Sequence, residues 1–279
     1  MKLNMKLIFV GIICIILIFS ILFITEKIIE KNSNDSRNIY IYWVGNEYKL
    51  ISILRKIIYL HSTNGIGYKV NLINKNNIKE YIKDIPDYFD TLLPAHQADF
   101  VRVNVICKYG GIWLDSDTLV MDSLDSLFDL IEQKKGFFIL QNNDGLWNGI
   151  FGSKPNTPLM IKWKNEMIKM LNEKKNKIEW LDIGNYMLDN FYKEDATLYD
   201  NYEIFKGLDN MYPVNWDKCV DEFLKKPYDN YKNIIRNYQP LIVLVNSVYK
   251  ELENMSTQEI LNSHMPLNYF INKSIYNLF

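Results

Sequence analysis

Asp99, Arg102, Asp115 and Asp117 carry the chemistry that this chain offers most plainly. In an extended segment, residues two apart point to the same side, so Asp115 and Asp117 can face one pocket while Ser116 faces away. Two carboxylates so placed suit a hard divalent cation, magnesium or manganese. Such ions typically take one or two carboxylates and complete the shell with phosphate oxygens and water. The ion offsets the charge of a diphosphate ligand and polarises it as a leaving group. An isolated Asp-x-Asp is also a common solvated turn. Asp99 and Arg102 lie three apart and share a face if the segment is helical. They can pair with each other for about 0.2–0.5 kcal/mol. Alternatively Asp99 accepts hydrogen bonds from sugar hydroxyls while the Arg102 guanidinium faces their oxygens or a phosphate. Three carboxylates and a guanidinium are costly beside apolar segments unless a cation and an anionic ligand neutralise them.

The elements that must position these side chains follow from local pattern. A helix from about Ala95 to Tyr109 carries Asp99 and Arg102 and ends at Gly110-Gly111. A short strand, Ile112 to Leu114, then delivers Asp115 and Asp117 to a sheet edge. Upstream, Asn38 to Val44 is β-branched and aromatic and is stopped by Gly45-Asn46, as expected of a buried strand. Leu50, Ile51, Ile53, Leu54, Ile57 and Ile58 recur at helical spacing, and Tyr68 to Ile73 makes a further strand. Asn77 to Ile82 is helical in pattern, and a short helix is expected around Leu124 to Ile131. Strands Phe137 to Leu140 and Trp147 to Gly152 flank an Asn142-Asn143-Asp144-Gly145 turn. Helices over Pro158 to Leu171 and Ile183 to Tyr192, strands over Glu203 to Lys206 and Leu241 to Asn246, and a partly helical tail broken by Pro266 complete the pattern. Such alternation predicts an α/β fold with a mostly parallel sheet covered on both faces and ligands at the carboxyl ends of its strands.

Composition sets the outer bounds. With 279 residues and 48% of them hydrophobic, the chain can bury a substantial core. A formal charge of -1 gives no global attraction to nucleic acid. Cys14, Cys107 and Cys219 stand too far apart to suggest a disulfide framework or a zinc site. Leu7 to Ile24 is uncharged and long enough to cross roughly 27 Å as a helix. It reads as an uncleaved single-pass membrane anchor within residues 1–25, followed by a polar stalk over 26–37 and one catalytic domain over 38–279. Lys2 and Lys6 before the run and Lys27, Lys31 and Arg37 after it leave its orientation open.

Taken together, Ala98-Asp99-Phe100-Val101-Arg102 and Tyr109-Gly110-Gly111-Ile112-Trp113-Leu114-Asp115-Ser116-Asp117 resemble the signature of the capsular polysaccharide synthesis glycosyltransferases. That group is related to the Asp-x-Asp sugar transferases that include fungal Golgi mannosyltransferases and glucosylating bacterial toxins. The likeness continues in Tyr40-Ile41-Tyr42-Trp43-Val44-Gly45, in Asn77-Ile78-Lys79-Glu80-Tyr81-Ile82, and in Asn148-Gly149-Ile150-Phe151 followed by Pro155-Asn156-Thr157-Pro158. The resemblance implies a Rossmann-like GT-A fold, a nucleotide-sugar donor, a divalent metal (Mn2+ or Mg2+) and hexosyl transfer with retention of configuration. By the same resemblance Asp117 ligates the metal, and Asp115 touches ribose or donor sugar. Asp99 and Arg102 bind the donor sugar, Trp43 stacks on the base, and Asn148 lies near the donor. Asp115, Asp117 and Arg102 are then the catalytic set, and His264 in Ser-His-Met-Pro is a candidate to complete the metal shell.

Two departures bear on the acceptor, which stays open between glycan, lipid-linked and protein hydroxyls. Asp115-Ser116-Asp117-Thr118 replaces the frequent Asp-Ala-Thr, and Asn156-Thr157-Pro158 replaces Gly-His-Pro. The domain would be lumenal in a eukaryotic or viral setting and cytosol-facing in a bacterial one. Asp115-Ser116-Asp117-Thr118 also matches the loop of haloacid-dehalogenase-like phosphatases, in which Asp115 would be nucleophile and Asp117 general acid. A membrane-anchored sugar-binding protein without catalysis is the third reading.

Overall fold

The computed structural model describes residues 37–141, 145–175, 177–206, 214, 216–225, 240–244 and 253–278. The predicted membrane span Leu7 to Ile24, and all of the predicted stalk except Arg37, lie outside these residues. Among the described residues no helix is long and apolar enough to cross a membrane.

Strand β1 (Asn38–Tyr42) shows why the sheet is covered on both sides. Its alternate residues feed two separate cores: Ile39 and Ile41 pack on one face, Tyr40 and Tyr42 on the other. Helix α1 (Lys49–His61) buries its Leu and Ile stripe on the first face and leads into β2 (Lys69–Ile73). After the single turn α2 (Ile78–Tyr81) comes α3 (Pro94–Tyr109), which covers the second face. Pro94 stands in its first turn, where its missing N–H costs nothing.

Helix α3 ends at Gly110, whose N–H bonds the Ile106 carbonyl. Gly111 begins β3 (Gly111–Leu114) at φ +102°, where a Cβ would meet the Asn38 carbonyl oxygen at 2.4 Å. Only glycine lets the chain turn so close to β1. From His96 to Cys107 every residue of α3 except Ala98 is buried, polar residues included, so Asp99 and Arg102 have little access to bulk water.

The chain continues through β4 (Thr118–Val120), α4 (Asp125–Gln133), β5 (Gly136–Gln141), β6 (Gly145–Ser153), α5 (Pro158–Lys174), α6 (Asn185–Glu194) and β7 (Tyr202–Lys206). The main sheet runs β2-β1-β3-β6-β5-β7. Pairs β1–β2, β1–β3 and β5–β7 are parallel, whereas β3–β6 and β5–β6 are antiparallel. The sheet is therefore parallel-rich but less uniformly parallel than the alternation predicts. Residues 142–144 alone separate β5 from β6, too few for the crossover that a parallel pair requires.

A second, two-stranded sheet joins β4 to β8 (Leu241–Val243), within the strand expected at Leu241 to Asn246. Two closing helices follow, α7 (Thr257–Leu261) with a Ser256/Glu259 capping box and α8 (Pro266–Tyr276). Ser274 of α8 donates to the Val120 carbonyl and meets His61 Nε2, tying this end of the chain to β4 and α1.

Candidate active site

The carboxyl ends of β1 and β3, the first half of α3, the first half of β6 and one side of α6 meet at one cleft of ≈1380 Å³. Trp43, Asp99, Arg102, Asp115, Asp117 and Asn148, all proposed from the sequence, line it together. Asn148 reaches this place through strand register. Pairing of Leu114 with Ile150 continues one residue further as a bond from Asp115 N to the Gly149 carbonyl, 2.8 Å, which sets Asn148 beside the end of β3.

Arg102 is the centre of the group. Its Nη1 donates to the Asn148 carbonyl at 2.8 Å and lies 3.4 Å from Asp99 Oδ1, while Nη2 donates to Asp115 Oδ1 at 3.0 Å. Asn148 Nδ2 donates to Asp99 Oδ1 at 2.8 Å, and the Trp113 indole N–H donates to Asp115 Oδ1 at 2.8 Å. The Arg102 guanidinium also lies over the Trp113 ring, 5.1 Å from its centroid. The ion pair expected from i,i+3 spacing is therefore present, but as one edge of a larger network. Both terminal nitrogens of Arg102 are engaged by the protein, so it orients Asp115 and Asn148.

Burial raises the pKa of Asp99 above the ordinary carboxylate value, and the Arg102 charge and the Asn148 hydrogen bond oppose this. Asp115 is likewise pushed up by burial, against Arg102 and the Trp113 bond. Two buried donors, Trp43 Nε1 and Arg102 Nε, have no hydrogen-bond partner among the described residues. A donor left so typically costs about 1–3 kcal/mol.

The Asp115 to Asp117 segment is a turn, not the extended segment expected. Thr118 N donates to the Asp115 carbonyl at 3.0 Å, the i to i+3 bond of a β-turn. Two-residue periodicity therefore does not set these directions. Ser116 is instead anchored by its hydroxyl to the Tyr42 carbonyl, 3.0 Å away, and Leu244 N bonds the Asp117 carbonyl at 3.2 Å. These bonds fix the turn between β1 and the end of β8, and both carboxylates still line the cleft. Trp43 is half-buried, with its ring edge to Tyr48 at 6.0 Å. His264 is exposed in the connection between α7 and α8 and is not among the residues lining the cleft. Among the described residues no group of three or more His, Cys, Asp or Glu is placed to hold a metal.

Several contributors escaped the sequence reading. Trp113 was detectable in principle, since it stands on β3 just before the turn that carries Asp115. Asn185 Oδ1 accepts from Asn148 N at 3.3 Å, and a Cβ on Gly184 would stand 2.3 Å from Asn148 Nδ2, so the start of α6 closes tightly over Asn148. A Gly-Asn pair in a chain this rich in asparagine gives no signal of that kind. Trp180 and Tyr186 also line the cleft, unforeseen.

Comparison with known proteins adds family context. An uncharacterized protein of Arabidopsis thaliana, At4g19900, is 28% identical over 118 residues, which is 39% of this chain and 18% of the relative. The uncharacterized glycosyltransferase L373 of Acanthamoeba polyphaga mimivirus is 28% identical over 121 residues, 39% of this chain and 46% of the relative. The match thus spans less than half the length of these curated relatives. Among solved structures, a glycosyltransferase involved in glycosylation of the major capsid of PBCV-1 aligns with TM-score 0.46 and 10% identity over 77% of this chain and 97% of that one. Galactosyltransferase LgtC, in complex with donor and acceptor sugar analogs, aligns with TM-score 0.46 and 12% identity over 86% of this chain and 95% of that one. The family model described as capsular polysaccharide synthesis protein matches residues 19–265 of the 279, and by that match the chain belongs to the capsular polysaccharide synthesis protein family.

Proposed function

We propose that this protein is a glycosyltransferase of GT-A type. It would move a hexosyl group from a nucleotide-sugar donor to a hydroxyl on a glycan, lipid-linked or protein acceptor, with a manganese or magnesium ion and with retention of configuration. The observation that carries the reading is the single network of Asp99, Arg102, Asp115 and Asn148 lining a cleft beside the carboxyl ends of β1 and β3. Open α/β sheets bind ligands at such ends. The name of the mimiviral relative accords with it. The apolar run Leu7 to Ile24 supports a membrane tether for the catalytic domain over 38–279.

The donor set fits a hard cation. Bonds from Trp113 and Arg102 both land on Asp115 Oδ1, so Oδ2 takes no bond from the described residues, and Asp117 lines the same cleft. Two carboxylates suffice for an ion that draws its remaining ligands from diphosphate and water. When bound, the ion offsets negative charge on the departing diphosphate. Trp43 offers a half-buried ring on which a base can stack. The unpartnered Trp43 Nε1 and Arg102 Nε are donors suited to a ligand rich in oxygen acceptors.

In the transfer, the bond from the anomeric carbon to the diphosphate oxygen breaks and its electron pair leaves with the diphosphate. The acceptor hydroxyl oxygen forms the new bond on the same face, and its proton passes to the departing oxygen. Asp99 and Asp115, held by Arg102, place negative charge against the oxocarbenium character that develops on the sugar. The test is turnover of a nucleotide-sugar panel by the full chain in detergent, with manganese and with chelator, wild type beside Asp117→Ala. Manganese-dependent release of nucleotide that the variant lacks is expected. No binding or turnover of any donor, or release of phosphate from phosphomonoesters instead, would overturn the reading.

A further inference from the structure

The network around Arg102 occupies only part of the cleft. Another part is lined by the segment entering α6 and by α6 itself, and its chemistry is different. Trp180, Tyr186 and Tyr192 are 58%, 53% and 52% exposed, and all three line the cleft. A single exposed aromatic needs no explanation, but several gathered in one concave site mark a binding surface.

Helix α6 does not need this face for its own docking, because Met187, Leu188 and Phe191 already bury its opposite side in the core. Spacings of four and seven along the helix put Asn190 and Lys193 on the face of Tyr186, and both also line the cleft. Flat aromatic rings beside an amide and an ammonium suit a pyranose. Its C–H face stacks on the ring while its hydroxyls find hydrogen-bond partners. The polar residues and the openness of this wall are unsuited to an acyl chain, which needs continuous apolar surface.

The platform also borders the donor network. Trp180 lies 6.5 Å, ring to ring, from His96, which is one helical turn before Asp99 on α3. His96 is buried and its Nε2 has no partner among the described residues.

We propose that this wall is the acceptor subsite and that it takes a saccharide, with Trp180 and Tyr186 as stacking platform and Asn190 and Lys193 bonding hydroxyls. The inference rests on the glycosyl-transfer reading above. The acceptor sugar then lies against the wall that adjoins Asp99, so one of its hydroxyls reaches the anomeric carbon of a donor held by Asp99, Asp115 and Asn148.

Saturation-transfer NMR tests it on the full chain in detergent. The probes are the methyl glycosides of glucose, galactose, mannose and N-acetylglucosamine and the matching disaccharides. At least one probe should show transfer to its ring C–H protons with wild type. That signal should fall at least fivefold in Trp180→Ala and in Tyr186→Ala, and persist in Trp180→Phe and in Asp117→Ala. Circular dichroism checks that the variants are folded. Absence of binding to wild type overturns the inference, as does equal binding to Trp180→Ala. A signal lost in Asp117→Ala but kept in Trp180→Ala would place the sugar in the donor pocket and overturn it too. Failure of the nucleotide-sugar panel alone would remove the transfer reaction and leave the saccharide site standing, so the two failures are distinguishable.

Discussion

Arg37 and Arg102 are both buried beside carboxylates, on opposite sides of β1 and β3. Arg37, at the start of β1, holds Asp125 at 2.6 Å, Asp129 at 3.1 Å and Glu132 at 3.2 Å along α4, and its guanidinium lies over the Phe128 ring. Arg102 holds Asp99 and Asp115. The difference lies on the acidic side of each group. Asp129 and Glu132, two of the three partners of Arg37, have side chains 47% and 52% exposed, so water solvates them whether or not the arginine is present, while Asp125, 30% exposed, also accepts from Ile66 N. The partners of Arg102 are 7% and 28% exposed, and burial drives both their pKa values upward. The first arrangement clamps a helix onto a strand at small electrostatic cost. The second concentrates desolvated charge beside an open cleft, an arrangement that fold stability alone does not require and that functional sites commonly show.

Substitutions in the two groups should separate them, and the largest effect belongs to the cleft. Asp117→Ala is expected to lower donor turnover by roughly 10²–10³-fold, while Asp129→Ala, at the exposed end of the Arg37 group, leaves it unchanged. Steady-state nucleotide release measures both. Equal losses would erase the distinction.

Next comes stability. Arg102→Ala leaves Asp99 buried and without its cation, and should cost about 3–5 kcal/mol in urea unfolding. The same experiment on Arg37→Met, which keeps a similar volume against Phe128, should give a change within about 1 kcal/mol, because Asp129 and Glu132 are half in water and Asp125 keeps its bond from Ile66 N. A loss at Arg37 as large as that at Arg102 would mean that the α4 clamp carries the fold.

The smallest and most specific effect is on pH dependence. The folded pKa of Asp99 lies above its unfolded value near 3.8, so between the two the native state binds the extra proton. Its contribution to stability is present below the unfolded pKa and is lost as pH rises through the folded one. Asp99→Asn should therefore flatten the decline of stability with rising pH that begins just above 3.8. Urea midpoints across the acid range read this directly, and an unchanged slope would assign the decline to other groups.

Much of the fold was legible because it is locally encoded. Pro94 and Gly110 bracket α3, and the alternation in Asn38 to Tyr42 marks a strand with two apolar faces. The stripe from Leu50 to Ile58 marks the helix laid on one of them. Strand direction was less legible. Pairing of β6 with both β3 and β5 is antiparallel, and only the short link from Gln141 to Gly145 hinted at this for one of the two. The site residues were legible by type, but the direction of Asp115 and Asp117 was misread as strand geometry. A turn hydrogen bond and the Ser116 anchor set it instead.

By itself, then, the sequence determined the elements and the cluster of Asp99, Arg102, Asp115 and Asp117, because turn chemistry, glycine position and apolar period act over a few residues. The tertiary structure alone decided who partners whom. Arg102 meets the Asn148 carbonyl across 46 residues of sequence through the register of β3 on β6, and that register follows from which side chains fill the two cores. It also decided that α6 turns Tyr186 into the cleft, since burial of Met187, Leu188 and Phe191 on the other side leaves the helix no other orientation.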